Sequence, residues 1–179
     1  MKMTLEFKSA LFRNSRVFPT KALERVSNAW VDLPDIVVGL PYSLKHKSGA
    51  RYPGKSHGRT IAHPPTVIEV GYWNDQGTRH IPARPFLTDA KTDIQRQTLE
   101  LRKKLCRLIL VGGKSQIGPS CNKVGAMAAA IVQRRITNWD DPPNAPSTVR
   151  MKGVDNPLVD TGLLRKSVTW ELRPKPEDK

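Results

Sequence analysis

Two segments in the second half of the chain carry apolar residues at helical spacing. From Pro85 to Leu110 the apolar positions recur every three, four or seven residues, with acidic residues early and basic residues late, an order that complements a helix dipole. A second apolar stripe runs from about Ser120 to Asn138, and small residues such as Gly125 permit close approach to a neighbouring element. Gly112-Gly113 separates the two segments. The pattern predicts two long helices with Leu105 and Ile131 in the core and Leu110 at a frayed end.

Shorter apolar patterns elsewhere in the chain predict strands. Alternation over residues 3–8 predicts a short first strand, and the run Ile36-Val37-Val38, closed by Gly39 and Pro41, predicts a buried one. Residues 164–173 alternate between apolar and polar side chains, which is typical of a half-buried terminal strand. The segment before it, from residue 141 to 162, contains prolines and glycines and is predicted to be a long ordered loop.

Two further helices are expected in the first half of the chain. Apolar residues at helical spacing predict one helix from Pro19 to Trp30, with Pro34 ending the run. Thr66 followed by Glu69 forms a capping-box pattern, so residues 67–75 favour a short helix with Gly77 near its C-cap. A strand remains an alternative for this segment because its Val, Ile, Tyr and Trp residues all favour strands.

These elements together predict an α+β fold. A small antiparallel sheet is expected to pack against the two long helices, with extended Pro/Gly-rich loops or arms. With 179 residues the chain can bury one sizeable core, so residues 1–173 are assigned to a single domain. Residues 41–65 are rich in proline, glycine and basic side chains and have little to bury, which predicts a basic arm. Residues 174–179 are expected to form a flexible tail.

Composition restricts the environment of the protein. The chain has no apolar run near 18 residues and no charged-then-apolar leader, so we expect a soluble protein that is not exported and has no membrane partner. Its two cysteines, Cys106 and Cys121, lie in predicted helices and require no disulfide framework, which fits a reducing cytoplasm.

The charge balance is strongly basic and unevenly distributed. Thirty basic and 16 acidic residues give a net charge of +14, and residues 1–60 hold 11 basic against 4 acidic residues, half of the excess. Such a surface favours contact with nucleic acid or with acidic protein partners, although a solvated face is the plainer interpretation. The few aromatic residues do not interleave with basic ones as in a base-stacking platform. Non-specific nucleic-acid binding is therefore kept as the alternative function.

The motifs that suggest chemistry lack the surroundings that the chemistry requires. Gly112-Gly113-Lys114-Ser115 resembles the end of a phosphate-binding loop, but position 108 is Leu where that motif needs Gly. Asp160-Thr161-Gly162 is the tripeptide of aspartic proteases, but too few residues follow it, and a turn in which Asp160 and Thr161 cap backbone N–H groups is favoured. The four histidines match no zinc spacing. We predict no catalytic residue, no cofactor and no metal site.

Two sequence patches resemble a known family. The first is Asn74-Asp75-Gln76-Gly77-Thr78 followed by Ile81-Pro82-Ala83-Arg84-Pro85-Phe86-Leu87, and the second joins residues 141–148 to Asn156-Pro157-Leu158-Val159-Asp160-Thr161-Gly162. They resemble the tail-completion or neck proteins of long-tailed bacteriophages, over roughly residues 61–173. Before residue 60 the chain departs from the family pattern.

The resemblance implies a non-enzymatic virion protein that forms a ring at the head-tail junction. It implies partners that are copies of the chain itself, the tail tube or tail terminator, and head-side connector proteins, with assembly in the host cytoplasm. Six-fold order is preferred and twelve-fold order is the alternative, with non-specific contact with packaged DNA also considered. Arg84, at the start of the longest predicted helix, is a candidate to pair with Asp75 or with a neighbouring subunit, and a plain surface arginine is an equal alternative. The full set of interface candidates is Arg51, Lys55, Arg59, Asp75, Arg84, Phe86, Asp160 and Arg165.

Overall fold

The computed structural model of the chain is an α+β fold. It describes residues 2–5, 33–40, 55–56, 59–60, 62–111, 113–153 and 155–174. The strands are β1 (Lys2–Leu5), β2 (Asp35–Gly39), β3 (Lys55–Ser56), β4 (Arg59–Thr60) and β5 (Thr169–Arg173). The helices are α1 (Val67–Gln76), α2 (Phe86–Gln97), α3 (Leu99–Leu110), α4 (Lys114–Thr137), α5 (Pro146–Lys152) and α6 (Leu163–Ser167).

The main sheet has three antiparallel strands in the order β1-β2-β5. The central strand β2 pairs Val38 with Trp170 and Ile36 with Leu172 of β5, so these side chains lie on one face. Ile36 and Val38 are fully buried, while Trp170 and Leu172 are partly buried against the same core. The predicted first strand and the predicted buried strand are therefore confirmed, because both supply this sheet.

Helix α4 crosses the apolar face of the sheet and packs most closely at Gly125. A Cβ atom at this position would lie 2.3 Å from Cδ1 and 2.7 Å from Cγ of Trp170, well inside van der Waals contact. The Trp170 indole N–H also donates to Oδ1 of Asn122 at 3.1 Å. The predicted close approach at Gly125 is confirmed, and the element that approaches is strand β5.

The predicted helix from Pro85 to Leu110 is two helices rather than one. Helix α2 ends at Gln97 and α3 begins at Leu99, with Thr98 between them at φ −88° and ψ −1°. Thr98 is fully buried, and its hydroxyl donates to the carbonyl of Ile94 at 2.7 Å. A threonine hydroxyl that bonds back to this carbonyl bends a helix locally. The expected core position Leu105 is buried, and Leu110 is exposed as expected.

Helix α1 confirms the capping-box prediction and excludes the strand alternative. The Glu69 carboxylate accepts from the backbone N–H of Thr66 at 2.7 Å, and the Glu69 N–H donates to Oγ1 of Thr66 at 3.2 Å. Val67 and Gly71 face the core, and Gly77 occupies the C-cap. The local hydrogen bonds of the cap outweigh the strand preference of the Val, Ile and aromatic residues.

Three predicted boundaries are wrong. Helix α4 starts at Lys114 rather than near Ser120, and it continues through Pro119, its sixth residue, which has no backbone N–H to donate. Residues 163–167 form helix α6, and only residues 169–173 form the terminal strand. The predicted loop from residue 141 to 162 contains helix α5, which begins with Pro146 at a position where proline suits a helix start.

Several predictions fall mostly outside the described residues. The predicted helix from Pro19 to Trp30 lies outside them entirely, as do residues 175–179 of the predicted tail. Of the predicted arm at 41–65, the structure describes residues 62–65 and a short antiparallel hairpin formed by β3 and β4.

Candidate interaction surfaces

The two segments that carry the family resemblance contact each other. Arg84, only 5% exposed, lies between α1 and α2 and reaches the residues that follow α4. Its Nε donates to the carbonyl of Pro142 and its Nη2 to the carbonyl of Pro143, both at 3.1 Å. The Arg84 backbone N–H donates to the carbonyl of Asn74 at 2.7 Å, which fixes the residue on the end of α1. We call this arrangement, Arg84 with Pro142 and Pro143, the clasp.

Burial and a nearby carboxylate act in opposite directions on the Arg84 guanidinium. Burial lowers its pKa, and the negative charge of Asp155 raises it. Asp155 itself accepts from the backbone N–H of Asn144 at 3.1 Å, so it also orders the segment that Arg84 binds. Guanidinium groups stay charged in proteins, so the clasp is a pair of charge-assisted hydrogen bonds.

Asp75 caps helix α2 and does not pair with Arg84. Its carboxylate, in a residue only 4% exposed, accepts from the backbone N–H of Leu87 at 3.3 Å and from the side-chain amide of Gln76 at 2.7 Å. Pro85, at the N-cap position, makes no side-chain cap hydrogen bond. A carboxylate near a helix N-terminus stabilises the helix because it accepts from a free N–H and because its negative charge lies at the positive end of the helix dipole. The predicted Asp75–Arg84 ion pair is therefore wrong.

Phe86 is a core residue of the protomer. Its side chain is 1% exposed and belongs to the same apolar cluster as Ile94 and Val132. Together with Asp75 and Arg84 it is thus engaged inside the fold. These three interface candidates are not available to a neighbouring subunit at the protomer surface, and this expectation is corrected.

Asn156 holds the second half of the resemblance segment against α4. Its amide N–H donates to the carbonyl of Thr137 at 2.8 Å, and its side-chain oxygen accepts from the N–H of Val159 at 3.0 Å. The Lys152 ammonium donates to the carbonyl of Asn156 at 2.7 Å. Burial lowers the pKa of Lys152, while the charge of Asp160 raises it. The segment is fixed by side chains that bond to backbone groups.

The Asp160-Thr161-Gly162 tripeptide forms a turn at the start of α6. Oγ1 of Thr161 accepts from the N–H of Leu163 at 3.3 Å, and Gly162 has φ 72°, a conformation that favours glycine. Asp160 is exposed, and the capping bond expected from it is not found among the described residues. Thr161 therefore supplies the backbone cap that the sequence analysis expected from both Asp160 and Thr161.

The other interface candidates are basic. Arg165 is half-buried and donates from Nη1 to Oγ1 of Thr137 at 3.5 Å. Lys55 and Arg59 lie on the two strands of the β3-β4 hairpin, paired with Thr60 and Ser56. Arg51 lies outside the described residues.

The described residues offer little for catalysis or metal binding. Within them, no group of three or more His, Cys, Asp or Glu side chains could hold a metal ion. Gly113-Lys114-Ser115 opens helix α4, but it follows helix α3 rather than the strand that a phosphate-binding loop requires. Burial raises the pKa of both Cys106 and Cys121, which disfavours the reactive thiolate. No helix in the described part of the chain is long and apolar enough to cross a membrane.

Exposed apolar side chains mark surfaces of which the sequence analysis anticipated only Leu110. Tyr72 is 55% exposed and Trp73 39% exposed on α1, and Leu110 is 62% and Val111 79% exposed at the end of α3. Leu99 and Met151 are exposed as well, and clusters of such positions are candidates for protein contacts. The signal for them was their position opposite the apolar stripe that each helix buries.

Comparisons with known proteins identify no relative. A scan of the chain against protein-family models gave no match, and no curated protein or solved structure matches it.

Proposed function

We propose that the chain is a structural virion protein of a tailed bacteriophage, a tail-completion or neck subunit at the junction of head and tail. The observation that carries this proposal is the clasp. The two segments that resemble the phage family are brought together by Arg84, Pro142 and Pro143. Arg84, Asp75 and Asn156 of these segments bond to backbone atoms within the fold, as expected for segments whose task is structural.

The proposed assembly is a closed ring, with six-fold order preferred and twelve-fold order as the alternative. A ring built from head-to-tail contacts requires each subunit to present two different surfaces. Compact cores linked by extended segments suit this arrangement, and we propose that the arm at residues 41–65 reaches a neighbouring protomer. The other proposed partners are the tail tube or tail terminator on one side and the head-side connector on the other.

Complementation of a phage that lacks this gene tests the proposal. The wild-type chain supplied in the host should restore infectious particles, and it should be found at the neck of purified virions by labelling and electron microscopy. Particles that lack the protein should accumulate as separate heads and tails. Normal joining of heads to tails without the protein would refute the proposal.

A substitution at Asp160 separates a structural role from an enzymatic one. Asp160 is exposed and Thr161 supplies the cap, so Asp160→Asn and Asp160→Ala should both support normal titres. A catalytic carboxylate would lose activity in both variants, because neither side chain can exchange a proton. Loss of titre with a folded, incorporated protein would favour an enzyme.

Nucleic-acid binding is the competing function that the net charge of +14 favours. The purified chain should then bind random duplex DNA, with an affinity that falls steeply as salt rises. Under the structural proposal, assembly with tail or connector proteins persists at moderate salt. Tight DNA binding without such assembly would replace the proposal with this alternative.

A further inference from the structure

Two exposed helix faces of this protein carry complementary chemistry. The first, which we call the aromatic face, is the solvent side of α1 and consists of Glu69, Tyr72, Trp73 and Gln76. Tyr72 is 55% exposed and Trp73 39% exposed. These residues recur at spacings of three and four, so they lie on one side of the helix, opposite Val67 and Gly71. Helix α1 contains two acidic residues and no Lys or Arg.

The second, which we call the basic face, is the solvent side of α3. It consists of Leu99, Lys103, Arg107 and Leu110, spaced four, four and three residues apart, and Val111 extends it at the helix end. Leu99 is 43% exposed and Leu110 62% exposed, whereas Leu105 and Ile109 on the opposite side are buried. Helix α3 holds four basic residues and one acidic residue, Glu100, a net charge of +3.

The chemistry of the two faces suits a contact between them. Tyrosine and tryptophan rings pack against leucine side chains and also attract lysine and arginine through the negative faces of their π systems. Glu69, whose carboxylate also closes the capping box of α1, adds a negative charge to the aromatic face, so opposite charges would meet. Tyrosine, tryptophan and arginine are also the residues that dominate the energy of protein interfaces.

Like-with-like pairing of these faces is less favourable. Two copies of the basic face would place Lys103 and Arg107 of one copy against those of the other, a charge of +2 against +2, and like charges at close range repel. Two copies of the aromatic face would leave the exposed leucines of α3 uncovered. Contact between the different faces buries both apolar surfaces.

The two faces lie on different helices, so a contact between them on successive copies is head-to-tail. Helix α1 packs against α6, and α3 packs against α4. A contact between different surfaces on successive copies generates a ring when the rotation closes. We propose that the aromatic face of α1 in one protomer docks onto the basic face of α3 in the next, and that this contact joins neighbouring copies of the chain. The inference rests on the proposed function, for which it names the self-contact.

Paired substitutions in the full-length chain test this contact. The aromatic-face variant carries Tyr72→Gln and Trp73→Gln, and the basic-face variant carries Lys103→Gln and Leu110→Gln. The control variant carries Lys123→Gln and Met151→Gln, exposed positions on α4 and α5 outside both faces. Sedimentation velocity and native mass spectrometry measure assembly, and circular dichroism confirms that each variant is folded. If the aromatic-face variant unfolds, Tyr72→Gln alone replaces it.

The contact predicts a specific pattern of assembly. The wild-type chain and the control variant should form rings, and each face variant alone should be monomeric, with self-association weakened roughly tenfold or more. An equal mixture of the two face variants should form a one-to-one dimer, because each retains one intact face and can complete a single contact. A like-with-like contact would instead give no such dimer.

Several outcomes would overturn the contact without deciding the proposed function. Rings formed by both face variants would show that the protomers join elsewhere, while leaving the ring itself intact. A wild-type chain that stays monomeric at its highest soluble concentration would also refute the contact. Phage complementation would still test the proposed function. If the basic-face variant loses binding to duplex DNA but assembles normally, the basic face binds nucleic acid and the inference is wrong.

Discussion

Gly125→Ala should destabilise the protein although alanine favours helices. The added Cβ would lie 2.3 Å from Cδ1, 2.7 Å from Cγ and 3.1 Å from Nε1 of Trp170. Carbon atoms prefer separations near 3.5 to 4.0 Å, so the indole or the helix must move by about 1 Å or more. Trp170 is a rigid ring held by its hydrogen bond to Asn122, and it cannot rotate away cheaply.

Opposing contributions determine the size of the effect. Overpacking a core costs roughly 1–3 kcal/mol, and losing the Trp170–Asn122 hydrogen bond costs about 1 kcal/mol. The better helix propensity of alanine offsets about 1 kcal/mol of this loss in the free energy of unfolding. Gly125→Ala should therefore lower the free energy of unfolding by roughly 1–3 kcal/mol. Urea denaturation followed by circular dichroism at constant m-value measures it.

Gly118→Ala in the same helix is the matched control. No heavy atom lies within 4 Å of its built Cβ, so there is no steric cost beyond its own neighbours. The change should range from neutral to about 1 kcal/mol stabilising, because Pro119 limits how well a residue before it adopts the helical conformation.

A second test places Gly125→Ala in a Trp170→Ala background, where the clash is gone and the substitution should become neutral or stabilising. If Gly125→Ala is neutral in the wild-type chain, or equally costly without the indole, the packing argument is wrong.

Three further predictions concern stability measured by the same denaturation assay. Leu105→Ala and Ile131→Ala should each cost roughly 2–5 kcal/mol because both side chains are buried, whereas Leu110→Ala, at a position 62% exposed, should cost much less; equal losses would contradict the assigned helix faces. Thr66→Ala should cost about 1 kcal/mol by breaking the capping box of α1, and Thr66→Ser should retain most of that stability. Arg84→Ala should lower the free energy of unfolding by roughly 2–3 kcal/mol, because it removes both charge-assisted bonds of the clasp. Arg84→Lys keeps the charge but lacks the two-pronged donor, so it should restore only part of that stability. Full restoration would show that charge alone matters.

Local patterns were sufficient for most of the secondary structure. The capping box of α1 and the buried strand β2 each depend on a few adjacent residues, and both were predicted from them. Short segments were harder because residues 163–168 fit a helical period as well as an alternating one, and length could not decide between them. The break at Thr98 arises from one buried hydroxyl that bonds to Ile94, which apolar spacing does not reveal.

The roles of the polar residues depended on distant partners and were mostly missed. Arg84 binds two backbone carbonyls, and every residue carries such a carbonyl, so no side-chain pattern identifies the partner. Asp75 caps a helix that begins eleven residues later, beyond the reach of a local capping rule. The aromatic and basic faces required knowing which side of each helix is buried.

The position of β5 in the main sheet has a consequence for biosynthesis. Strand β5 is translated after every other described element, yet it pairs with β2, which is among the earliest. Until residues 169–173 have left the ribosome, β2 lacks one neighbour and the surface of α4 around Gly125 lacks the indole that covers it. Until then the nascent chain exposes apolar surface at both places, and such contacts between distant segments form slowly. Pairing of β5 with β2 should therefore be a late step in folding.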